Sequence, residues 1–121
     1  MKKIILAMLL ACSSNLVFAF GDIQLAYSSE IENILYWYNA QEAVEVKNLL
    51  QQKLQENCDS IFGHLVIEQV SYDVDLYVGW HTWNIVTPAG DVVAQTDVTF
   101  WQAPGDYKIE NIDFVSESCT N

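Results

Sequence analysis

Cys58 and Cys119, two histidines and a set of strand-borne carboxylates are the groups in the body of this chain with chemistry to offer. Cys58 could act as a nucleophile beside His64 only if it were kept reduced and had an activating neighbour. Pairing with Cys119 is the better reading, because an exported chain with an even cysteine pair oxidises it. Such a bond would close a loop across half the chain, contribute about 4 kcal/mol and pin the last residues to the end of a helix. With both thiols taken, His64 and His81 lack the further ligands zinc requires, and no metal is expected. Asp73 and Asp75 share one face of a strand, with Tyr77 and His81 further along it. Calcium needs a loop that wraps it with six or more oxygens, which a strand cannot supply. As a general acid/base pair the two carboxylates lack a third member and a pocket to separate their pKa values. No catalytic group and no cofactor is expected, and these residues read as a solvated acidic face.

The densest aromatic stretch is Tyr-Val-Gly-Trp-His-Thr-Trp, from Tyr77 to Trp83. Strict alternation buries Trp80 and exposes Trp83, and a bulge at Gly79 would reverse that. On the next strand Trp101 is out of phase with Phe100, so it would lie beside Trp83 across a hairpin, on the side that carries Asp97. The expected contact surface is therefore Trp83, Trp101, Asp73, Asp75, Tyr77, His81 and Asp97, since exposed tryptophans serve as contact anchors. The competing structural reading is a sheet that curls and buries both tryptophans. Tyr36, Trp37 and Tyr38 point three ways on a helix, so at most one could line a site.

These residues need elements to hold them. Ser29 to Glu32 matches a capping box, with Ile31, Ile34, Leu35 and Tyr38 at helical spacing after it. Asn39 to Glu42 offers a second start, which leaves 22–38 open between strand and helix, while a main helix from about Ala40 to Asn57 is expected either way. Its far face carries Gln51, Gln52, Gln55 and Glu56. After Asp59 the period becomes two: 64–70, 72–85, 92–101 and 107–115 read as strands, with turns at Thr87–Asp91 and Ala103–Tyr107. One helix packed on a four-stranded antiparallel meander is an α+β fold whose element order resembles that of cystatin-like rolls.

Lys2 and Lys3, an apolar run from Ile4 to Ala11 and small residues before Phe20 read as an export signal, 1–19, leaving a single domain, 20–121. The run is too short to span a bilayer. Cleavage after Ala19 gives a periplasmic or secreted protein. The alternative is a lipobox ending at Cys12, whose lipidation would anchor the chain to a membrane. Beyond the signal, three lysines face sixteen acids, a formal charge of −13, and there is no arginine. Such a chain cannot neutralise phosphates, which excludes nucleic acid and disfavours anionic lipid. It would draw in a cationic protein partner. Small, acidic, disulfide-clipped exported inhibitors of lysozyme and immunity proteins resemble it in kind. The expected function is non-enzymatic binding of a basic protein. The alternatives are a carbohydrate or small-ligand module built on exposed tryptophans and a structural subunit of an envelope assembly that pairs through strand edges.

Overall fold

The computed structural model describes residues 23–37, 40–58, 62–102 and 105–119. A short strand, β1 (Gln24–Tyr27), precedes two helices, α1 (Ser29–Trp37) and α2 (Ala43–Asn57). Four strands follow: β2 (His64–Val74), β3 (Val78–Val86), β4 (Val92–Trp101) and β5 (Asp106–Phe114). All five strands form one mixed sheet in the order β1-β2-β3-β4-β5, antiparallel except for the parallel pair β1 and β2. The class is α+β, with two helices and a fifth strand in place of the expected one helix and four. The signal segment 1–19, Cys12 and Tyr38 lie outside the described residues.

The helix start falls one residue earlier than the capping-box pattern suggests. Ser28 is the cap: its hydroxyl accepts the Ile31 N–H at 3.3 Å. α2 turns Val46, Leu50 and Leu54 inward at intervals of one helical turn, where they meet Ile31 and Leu35 of α1 and Leu65, Ile67, Trp83, Ile85, Val98 and Phe100 of the sheet. Its glutamines, expected to face solvent, have a structural task. Gln51 accepts the Leu25 N–H at 2.9 Å and Gln55 the Ile23 N–H at 2.8 Å. Residues four apart on a helix rise about 6 Å, close to the roughly 6.7 Å between alternate strand residues, so two amide oxygens match the outward donors of an edge strand.

The expected strand over 72–85 is in fact two strand segments. The chain reverses at Asp75–Tyr77, where the Asp75 N–H donates to the Val78 carbonyl at 2.8 Å and the Asp75 carboxylate accepts the Leu76 N–H at 2.7 Å. Neither Gly nor Pro marks this turn. Residues paired across a hairpin share a face, and Val74 pairs with Gly79, so the inward phase passes from even to odd numbers. Tyr72 and Val74 lie on the helix side, and so do Gly79, His81, Trp83 and Ile85. The Thr87–Asp91 turn falls where Pro88 and Gly90 place it, and Gly90 and Gly105 have positive φ of 95° and 81°.

Cys58 follows the last residue of α2 and is bonded to Cys119 across a separation of 61 residues, so the chain's end is tied to the helix. Reduction, or the pair Cys58→Ser and Cys119→Ser, is expected to lower stability by about 4 kcal/mol. Urea unfolding of oxidised against reduced protein measures this, and coincident midpoints would show that the bond contributes nothing.

Candidate functional site

Gln69 organises the middle of the sheet. It sits at a bulge where the β2–β3 register shifts between Gln69 and Ser71. Its Oε1 accepts the Trp83 indole N–H at 3.1 Å and lies 3.3 Å from His81 Nδ1. Its Nε2 donates to the carbonyls of Ser71 and Thr82. One side-chain amide thus supplies polar partners to two rings placed inside the protein. His81 stacks on Tyr72, with centroids 5.9 Å apart, and meets Phe100 edge-on at 5.6 Å. Tyr27 meets Trp83 edge-on at 5.4 Å. Loss of water pushes the His81 pKa down from 6.5 to about 4, so the imidazole is neutral at pH 7.

The opposite side of the sheet carries no helix among the described residues. There Trp80, 45% exposed, stands between Asp73 of β2 and Thr99 of β4. Thr82 donates to Asp97 Oδ1 at 2.7 Å, Asn111 donates to Asp97 Oδ2 at 2.6 Å, and Thr99 donates to Glu110 at 3.2 Å. Lys108 lies 3.5 Å from Glu110, both of them exposed. An open depression of about 570 Å³ runs past Asp73, Trp80, Thr82, Asp97, Thr99 and Glu110. Asp97 has both oxygens occupied by fixed donors, so it offers charge held in place more than a proton acceptor. Among the described residues no group of three or more His, Cys, Asp and Glu side chains is arranged to hold a metal.

Of the residues expected to form the contact surface, the structure brings Asp73 and Asp97 together on this outer face. Trp101 is on the same side, partly buried, opposite Val78 and diagonal to Trp80. Asp75 and Tyr77 lie at the β2–β3 turn, where the Tyr77 carbonyl accepts the Gln102 N–H at 2.8 Å. Two placements are corrected. Trp83 is 0% exposed and His81 is buried, because the turn at Asp75–Tyr77 reverses the alternation that had put both outside. Trp80, Thr82, Thr99, Glu110 and Asn111 were not anticipated as part of the site. Recognising the turn would have found Trp80 and Thr82, since both follow from its parity. Comparison with protein-family models, with curated proteins and with solved structures finds no match.

Replacing Gln69 by Leu strands the Trp83 N–H without its acceptor and is expected to cost roughly 2–4 kcal/mol, read from the urea midpoint. A loss below half a kcal/mol would mean that water replaces the amide. The pH dependence has a definite sign. An unfolded imidazole protonates near 6.5 while the folded one resists to about 4, so His81's contribution is complete above pH 6.5 and is lost as pH falls toward 4. Relative to His81→Phe, the wild type should therefore lose stability between pH 7 and 4.5. A difference that stays constant with pH would contradict the buried, neutral histidine.

Proposed function

We propose that this chain is a small exported, non-enzymatic binding protein that occupies a basic protein partner, in the manner of an inhibitor or immunity protein. The observation that carries this is the outer face, where a half-exposed indole is set among Asp73, Asp97 and Glu110. Carboxylates steer a cationic partner, and a tryptophan that partner side chains can cover supplies the desolvated contact. With no arginine in the chain, the guanidinium groups of the interface come from the partner. The disulfide suits an oxidising compartment, and no described helix is long and apolar enough to cross a membrane.

A second reading, a carbohydrate stacked on Trp80, is favoured by the Thr82 and Thr99 hydroxyls in the same depression. Salt separates the two. Capture of strongly basic exported proteins on the immobilised chain should weaken steeply from low to high ionic strength. Trp80→Ala and Asp73→Lys, both at exposed positions, should each weaken it about tenfold or more with unchanged thermal midpoints. Salt-insensitive binding that survives Asp73→Lys would point to the carbohydrate instead.

A further inference from the structure

The strand edges of this sheet are not treated alike. Along the outer edge of β1, the Leu25 N–H and that of Ile23 just before the strand are taken by Gln51 and Gln55. The edge strand β5 carries Asp106, Lys108, Glu110 and Asp113 and is irregular where it pairs with β4 at Asp97 and Val98, devices that discourage further pairing. β2 differs. β1 accompanies it only from His64 to Ile67; the Ser28 N–H then donates to the Ile67 carbonyl and the chain leaves the sheet as α1, which stays beside β2 on the helix side. From Val70 to Val74, β2 has β3 on one side and, among the described residues, no strand on the other.

The open run has the character of a pairing strand. Asp75 bonds Val78 at the turn, so Asp73 bonds Trp80 in the alternating antiparallel pattern, and the backbone groups of Tyr72 and Val74 are directed to the vacant side. Val70, Tyr72 and Val74 are 51%, 51% and 41% exposed, and no Pro, Gly or Lys interrupts them. The two sides of the vacant lane differ in chemistry. On the helix side lies an apolar groove of about 310 Å³ lined by Asn33, Ile34, Trp37, Tyr72 and Val74, with Trp37 87% exposed. On the outer side are Ser71 and the Asp73 carboxylate. The described lysines are elsewhere, Lys47 and Lys53 on α2 and Lys108 on β5.

From this we infer that the Val70–Val74 edge receives an extended segment of the partner in which basic and apolar residues alternate, an inference that rests on the binding of basic partners proposed above. Added beside β2 in the lane β1 vacates, such a segment completes its backbone hydrogen bonds with Tyr72 and Val74. Its apolar side chains enter the groove under Trp37 and its basic ones meet Asp73. The partner is thus recognised by strand addition, with charge setting the orientation of its two faces.

The test uses a short acetylated peptide alternating lysine and valine, and two isomers of it N-methylated on one or the other backbone edge, all of equal charge. The unmethylated peptide should bind in a salt-sensitive way and slow hydrogen exchange at the Tyr72 and Val74 amides. One methylated isomer should lose about tenfold or more in affinity while the other keeps it, since only one edge faces β2. Salt-sensitive binding that both isomers retain, with the Tyr72 and Val74 amides unprotected, overturns strand addition and leaves the binding of basic partners standing. Absence of any salt-sensitive binding overturns both.

Discussion

Everything that distinguishes one side of this sheet from the other follows from the pairing of Asp75 with Val78. Two side chains paired across a hairpin must share a face, so closing the turn there assigns Trp83 and His81 to the helices and Trp80 and Thr82 to solvent. A turn one residue longer or shorter would exchange the two sets, because the side-chain period is two. Such a slip would place Trp80 against Leu50 and Leu54 and expose a histidine and a tryptophan that now share one half-buried amide. The bulge at Gln69 is a second phase correction on the same strand. It lets both Leu65–Ile67 and Tyr72–Val74 face inward, although they fall on opposite parities.

Polar groups are distributed to match. Inside, Gln69 meets the needs of Trp83 and the backbone at Thr82, so two amphipathic rings are buried without an unpaired donor. Outside, hydroxyls and an amide fix the carboxylates of Asp97 and Glu110 in place. A carboxylate held by fixed neutral donors is held in position, which suits it to a contact surface. The same economy appears at β1, where helix glutamines close an edge that would otherwise invite pairing.

The α+β class, the main helix, the Thr87–Asp91 turn and the cysteine pair were legible in the sequence, because each has a signature: a 3.6-residue stripe, Pro with Gly, an even thiol count beyond the signal segment. Asp73 and Asp97 were each read onto the outward phase of their own strand, through period two. What was illegible has no local signature. Asp75-Leu76-Tyr77 turns without Gly or Pro, held by an aspartate that bonds its own backbone, and so the stretch read as one long strand. β1 is four residues long and is held by glutamines 26 and 32 positions away, which no window can see. Ser28 rather than Ser29 caps α1 because the hydroxyl reaches the Ile31 amide from there. The error in the tryptophans was a consequence of the missed turn and not of a wrong view of what tryptophans do.

The central claim is that Trp80 occupies a negatively charged outer face while Trp83 lies beneath the helices. Variants that retain a single tryptophan, with the others replaced by Phe, report each environment through fluorescence quenching. With only Trp80 present, caesium should quench efficiently and iodide poorly, because neighbouring carboxylates concentrate the cation and repel the anion; with only Trp83 present, neither ion should reach the ring. Quenching of Trp83 to the extent seen at Trp80, or iodide outperforming caesium at Trp80, would contradict the account.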